Sequence, residues 1–294
     1  MKVAIGHFSL TNQEIFIMSK SKPVKKVITT TQVKANQECK NKRQVLSQLK
    51  RIKWNIEFQT ENQEIFYNTV DKNDISFCAG PAGCGKTYIA TYYALHQLAT
   101  TKKYDGIIIT KPLVEVEGEK LGYLPGNVEE KTEPFMMSIY YNMEQIIGKD
   151  RLKTLRETGV ITVVPLAYMR GLTLTNKLVL LDEAQNSSPL QIKTFLTRIG
   201  RGSKFIISGD LQQSDVKHKQ GNGLEDAIRR LTGLPHLGFS QFTLDDVVRH
   251  PVVAGILERY NDEYSVDDIP AEVTLSAWLE HPTYDYSKIM NRWD

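Results

Sequence analysis

Cysteine, histidine and long apolar runs are what this chain has least of. Three cysteines (Cys39, Cys78 and Cys84) stand among 294 residues. The odd number leaves a thiol over, and the spacing is not that of a metal site. Such usage fits a reducing cytoplasm, which is the expected location. The six histidines lack ligand-like spacing as well. His250, just ahead of Pro251, reads as a packing residue and not as an acid–base group. No apolar run reaches the roughly 20 residues of a membrane-spanning helix. The N-terminus lacks the pattern of a cleavable signal, so no membrane partner is expected. Internal repeats and low-complexity runs are also missing.

Acidic residues are nearly absent from one stretch. Between Ser19 and Lys53 there are eleven basic residues and one acid, Glu38, although the whole chain carries only +3. Between Asp262 and Asp294 eight acids face Lys288 and Arg292. The expected organisation is a basic, partly disordered segment over 1–53, a core over 54–261 and an acidic tail over 262–294. Val45, Leu49, Ile52 and Ile56 have roughly helical spacing, so the end of the basic segment is expected to dock a short amphipathic helix on the core. Two readings of the segment stand. It is a nucleic-acid arm, or it is a strap that pairs with the acidic tail of its own or a neighbouring subunit. Met18-Ser-Lys-Ser-Lys resembles a translation start, which would place residues 1–17 outside the natural product.

What is present is globular: 41% hydrophobic and 24% charged residues, enough apolar side chains for a sizeable core. Five runs read as buried strands: Ile75 to Ala79, Gly106 to Thr110, Ile161 to Pro165, Leu178 to Leu181 and Lys204 to Ser208. Phe239 to Thr243 makes a sixth. They alternate with helical patterns, which predicts an α/β fold with a mainly parallel sheet and helices on both faces. In the long connection after Pro112, the stripe Phe135, Ile139, Tyr140, Met143 and Ile147 predicts a core-facing helix.

The first strand runs into Gly80-Pro81-Ala82-Gly83-Cys84-Gly85-Lys86-Thr87, a G-x-x-x-x-G-K-T phosphate loop, and then into a helix from Thr87 to Leu98. Strand, glycine-rich loop and helix in that order let backbone N–H groups curl around phosphates at a helix N-terminus. Lys86 can reach the outer phosphates and Thr87 can ligate Mg²⁺. Tyr88 follows at the loop's edge. A second apolar strand ends in Asp182 and Glu183. Acids at a strand's carboxyl end sit where open α/β sheets bind ligands. Asp182 is expected to hold Mg²⁺ and Glu183 to polarise the attacking water. The plainer alternative is that Asp182 caps the next helix. A third strand enters Gly209-Asp210-Leu-Gln-Gln213-Ser-Asp215. Gln213 could sense the γ-phosphate through water, or the segment could be a simple loop.

With these motifs in order, the chain resembles the PhoH-like family of P-loop NTPases, whose RecA-like core is related to the first motor domain of superfamily-1 helicases. The matching stretches are Gly80–Ala90, Val114–Gly126, Ala167–Leu172, Leu180–Asn186, Phe195–Lys204, Gly209–Asp215 and Asp246–Tyr260. The resemblance implies ATP and Mg²⁺ as cofactors, an association with RNA or single-stranded DNA and helicase-like work, and a homo-oligomeric ring, with a hexamer as one size. Gln63 matches a family glutamine 17 residues ahead of the loop, where an amide can read the adenine edge; otherwise it is a surface residue. Arg170, Arg198, Arg201 and Arg249 fall in matched motifs. One of them is expected to meet the γ-phosphate, and Arg249 has the helicase-like setting; an ordinary ion pair is the alternative for each. Only 34 residues follow Tyr260, too few for a second motor domain, so a neighbouring subunit is expected to wall the nucleotide. The chain departs from the family at Cys84, where threonine is usual, and at Lys111, where arginine is common. Lys111 keeps the charge without the bidentate fork and is a candidate phosphate contact on the strand.

The reading is a Mg²⁺-dependent, oligomeric ATPase tied to nucleic acid. An ATP-dependent scaffold that hydrolyses slowly, and a small-molecule phosphotransferase, are the rivals.

Overall fold

The structure is a computed structural model. It describes residues 44–112, 128–211 and 222–248, with positions 42 and 252. Most of the basic segment, the acidic tail, Gln213, Arg249 and His250 lie outside the described residues.

Strand β1 (Ile75–Ala79) follows helix α1 (Glu61–Lys72) and leads to α2 (Lys86–Thr100). Strand β2 (Gly106–Thr110) precedes α3 (Val128–Ile147) and α4 (Lys149–Glu157). Then come β3 (Ile161–Val163), β4 (Lys177–Leu181), α5 (Pro189–Leu196), β5 (Lys204–Gly209), α6 (Gly223–Leu231) and β6 (Leu237–Gln241). The sheet has the order β3-β2-β4-β5-β1-β6, and every pairing in it is parallel.

Both faces of the sheet are covered, which is why its inner strands are apolar without alternation. Ile107, Ile109, Leu178, Leu180 and Ile206 join one core with α1 to α4. Their neighbours Ile108, Val179, Leu181, Phe205 and Ile207 join a second core with α5 and α6. One-residue alternation of side chains divides the strands between the two cores. Helix α2 lies deepest, with nine of its residues buried from Ile89 to Ala99. This is a RecA-like P-loop NTPase architecture.

The element ends differ in instructive ways. Strand β3 stops at Val163 because Pro165 opens a 3-10 turn over Leu166–Met169. Edge strand β6 begins and ends two residues earlier than its apolar content suggests. The stripe of α3 is buried at Met136, Ile139, Tyr140, Met143 and Ile147, so Met136 takes the place expected for Phe135. Residues 44–49 are helical, and Val45 and Leu49 reach the first core while Ile52 and Ile56 pack against it from the non-helical chain that follows.

One buried charge ties the layers together away from the phosphate loop and the paired acids. Lys204, at the amino end of β5, is 4% exposed. Its ammonium donates to the carbonyls of Val70, Asp71 and Asn73. Those are the acceptors that the end of α1 leaves unpaired. No helix among the described residues is long and apolar enough to cross a membrane.

Candidate functional site

Strand order assembles the site. Because β5 lies between β1 and β4, the loops leaving all three strands meet at one carboxyl edge of the sheet. Gly80 N donates to Gly209 O at 3.2 Å, joining the first loop to the third.

The phosphate loop is held by its own chain and by two neighbours. Gly83 and Gly85 have left-handed backbones, φ 92° and 82°, which only glycine adopts without strain. Gly85 precedes α2 directly, so the loop ends on a helix N-terminus. Lys86 Nζ donates to Gly80 O at 2.8 Å and to Pro81 O at 2.7 Å. These bonds keep the ammonium within the curve of the loop. Val248 N donates to Gly83 O at 3.2 Å, which brings the segment before Arg249 against the loop. Cys84 Sγ lies 3.0 Å from Pro81 O. Burial pushes its thiol up to about 11, against the pull of Lys86, so it stays protonated and donates. Tyr88 is exposed on the first turn of α2.

Gln63 is buried and not a surface residue. Its Nε2 donates to Cys84 O at 3.1 Å, and its Oε1 accepts from Gln59 N at 2.8 Å. Its neighbour Asn62 donates to Asp246 at 2.8 Å. Asp246 in turn accepts from Thr243 N at 2.8 Å. Helix α1 is thus bonded to the loop and to the chain after β6.

The two hydroxyl-bearing motifs meet at Asp182. Thr87 Oγ1 donates to Asp182 Oδ1 at 3.1 Å, and Ser208 Oγ donates to the same oxygen at 2.8 Å. Burial raises the Asp182 carboxyl above its ordinary value, and the adjacent Glu183 adds to the rise. Lys111, Ser208 and Thr87 oppose it. Asp182 does not cap a helix; Glu183 precedes the 3-10 turn Ala184–Asn186, and Ser188 caps α5.

Glu183 has φ 55° and ψ 40°, a left-handed backbone that costs a non-glycine residue about 1–2 kcal/mol. Two contacts hold its carboxylate. Gln185 Nε2 donates to Oε2 at 2.7 Å, and Lys111 Nζ lies 3.7 Å from Oε1. Gln185 is buried, and its Oε1 accepts from Asp210 N at 3.0 Å. A chain of contacts therefore runs from the end of β2 through the end of β4 to the end of β5.

The arginines are dispersed. Arg198 spends its guanidinium on Thr194 O, Leu172 O and Thr197 Oγ1, at 3.0, 3.2 and 2.9 Å. Arg201 is exposed in the turn before β5. Both sit at the amino edge, away from their own phosphate loop by the length of β5, roughly 20 Å. Arg170 is exposed beyond the 3-10 turn that follows β3. Sequence reasoning missed Ser208 and Gln185. The signal for Ser208 was a polar residue inside an otherwise apolar buried strand; Gln185 lies in the polar stretch from Asp182 to Ser188 and had no such signal.

Mg²⁺ suits this donor set. It is typically held by one or two carboxylates together with water and substrate phosphates. Asp182 and Thr87 supply one carboxylate and one hydroxyl already in contact. No cluster of three or more His, Cys, Asp or Glu able to hold a metal occurs among the described residues.

Residues 55–261 match the family model described as PhoH-like protein. A PhoH-like protein of Bacillus subtilis is 44% identical over 210 residues, covering 71% of this chain and 65% of that one. One from Synechocystis sp. is 43% identical over 205 residues, covering 70% and 62%. The chain thus spans less than two thirds of the length of these relatives. Among solved structures, the large terminase from a thermophilic bacteriophage aligns with a TM-score of 0.44 at 13% identity, over 71% of this chain and 51% of that one. With the phosphate loop, the paired acids and a family match over most of its length, the chain belongs to the PhoH-like family of P-loop NTPases.

Proposed function

We propose that this protein is a Mg²⁺-dependent ATPase that works on single-stranded nucleic acid, RNA or DNA, as a homo-oligomer. The observation that carries the reading is the hydrogen bond from Thr87 to Asp182, made across an intervening strand and shared with Ser208. It joins the hydroxyl beside the phosphate-loop lysine to a buried carboxylate, the pair needed to hold Mg²⁺ against a nucleotide. The bound ion would supply positive charge to the phosphate oxygens.

The chain's own groups account for the remaining work. The loop amides and the N-terminus of α2 would bind phosphate oxygens. Lys86 would exchange the carbonyls of Gly80 and Pro81 for those oxygens. Glu183 would orient a water and accept its proton on a carboxylate oxygen. Gln63, held beside the loop, would sit near the base. Arg249 follows Val248, which bonds the loop, so it is the arginine best supported for the γ-phosphate. The nucleic-acid reading is supported by the basic stretch from Ser19 to Lys53 and by Lys111 at the catalytic edge.

Glu183→Gln is expected to keep nucleotide binding and to lose turnover by about 10²–10⁴-fold. Lys86→Ala is expected to weaken binding itself. Phosphate release, measured beside equilibrium binding of a fluorescent nucleotide, tests both. Wild-type turnover in Glu183→Gln would remove Glu183 from the chemistry.

A further inference from the structure

A catalytic carboxylate is useful only when it is free to take a proton. Here Glu183 is engaged on both oxygens, by Gln185 at 2.7 Å and by Lys111 at 3.7 Å. The two partners differ in kind. Gln185 is buried and anchored to Asp210 N, so it is a fixed support. Lys111 is a point charge on a flexible stem at the end of β2. Its side chain is 17% exposed, against 42% for Glu183. The contact is long for a hydrogen-bonded ion pair, and its Glu183 side is open to solvent.

We propose that Lys111 is a phosphate-responsive latch on Glu183. This rests on the ATPase reading above. In the latched arrangement the ammonium occupies the side of Glu183 Oε1 that a water would have to approach, while Gln185 holds Oε2. A phosphate oxygen arriving at Lys111 competes for the same ammonium and releases Glu183 toward water. The competitor is a phosphodiester of a bound strand or the γ-phosphate of the nucleotide; both present the same anionic oxygen. Lys111 would be a positioning residue, acting on the reaction through Glu183. Arginine at this place would grip a carboxylate through two parallel bonds, whereas lysine makes a looser contact that exchanges more readily.

Competition for one ammonium is reciprocal: whatever the strand does to Glu183, Glu183 does to the strand. This allows a test that needs no turnover. Glu183→Gln removes the competing charge and should tighten binding of whichever phosphate Lys111 receives. A partly exposed ion pair of this kind implies roughly a two- to fivefold change. The probes are a single-stranded oligothymidylate and oligouridylate for the strand, and a non-hydrolysable ATP analogue against ADP for the γ-phosphate. If the strand is the competitor, the oligonucleotides tighten in Glu183→Gln. If the γ-phosphate is, the ATP analogue tightens and ADP does not. In either case the gain disappears in the Glu183→Gln/Lys111→Met double variant. A gain that survives removal of Lys111, or no gain with any probe, overturns the latch.

Turnover gives the second readout. Lys111→Met should raise basal kcat in either case. If the strand is the competitor, it should also shrink stimulation by the strand with little change in KM for ATP; if the γ-phosphate is, KM for ATP should rise. Lys111→Arg should restore a low basal rate. A lower kcat in Lys111→Met would make Lys111 a group required for the reaction and not a restraint on it. Absence of phosphate release from the wild type would defeat the ATPase reading alone, because the binding comparison stands without it.

Discussion

Gln63 Nε2 donates to the carbonyl of Cys84 at 3.1 Å, bridging 21 residues of sequence from helix α1 to the phosphate loop. The same side chain accepts from Gln59 N. Both ends of one amide are therefore used to fix the loop against the helix. An added Cβ at Gly85 would lie 3.1 Å from the Gln63 amide nitrogen, so the fit is close on the loop's side too.

Replacing Gln63 by leucine should leave the Cys84 carbonyl and Gln59 N–H without their partner. The expected loss is about 1–3 kcal/mol, or a fall in Tm of roughly 2–4 °C per kcal/mol for a chain of this size. KM for ATP should rise with it, because the loop would no longer be held in its binding shape. Thermal melts with and without nucleotide check this. An unchanged melt would show that the amide contributes nothing net to the loop.

Asp182→Asn separates stability from function. The folded protein holds the Asp182 proton more tightly than the unfolded chain does. The stability of the wild type therefore falls as pH rises from the ordinary carboxylate value through the raised folded one. The asparagine variant has no such loss. Its advantage in Tm should grow through that window and level off above it. Turnover should meanwhile fall on the order of 10²–10³-fold, the scale of losing one charge-stabilising group. Paired melts across the acidic range up to neutrality decide; a gap that does not change with pH, or that narrows as pH rises, refutes the sign.

Gly209→Ala probes the path from β5 to Glu183. A Cβ there would lie 2.6 Å from Gln185 Oε1 and 2.6 Å from Leu224 Cδ2. Gln185 would have to leave Asp210 N, and Glu183 would lose its support. Overpacking of this kind costs about 1–3 kcal/mol. The informative readout is kcat, which should drop more than nucleotide affinity does. Equal losses in both would point to general loosening of the site.

Much of the architecture was readable because inner strands of a two-faced sheet are uniformly apolar. Ile75–Ala79 and Gly106–Thr110 appear in the structure with the ends that their sequence suggests. The edge strands were harder, since β6 mixes exposed and buried positions. Helix α4, Lys149–Glu157, escaped notice: only Leu152 and Leu155 mark its buried side. The motif residues Thr87, Asp182 and Glu183 were legible from spacing. Their partners were not. Ser208 and Gln185 act through contacts made by chain that is distant in sequence or turned by a left-handed residue, and nothing in local periodicity encodes that; Gln63 was named from its position ahead of the loop, but not its bond to Cys84 O.

Lys204 has a mechanical consequence. It fastens the far end of α1 to β5, while Gln63 fastens the near end to the phosphate loop. The helix is clamped at both ends, and β1 and β6 run beside it in fixed register with one another. On the opposite flank the backbone register of β2, β4 and β5 is equally fixed, and it is the side chains of Lys111, Glu183 and Gln185 that link the loops beyond those strands. The loop side of the site thus differs between its flanks: one is tied through a helix clamped at both ends, the other through a short chain of three side chains.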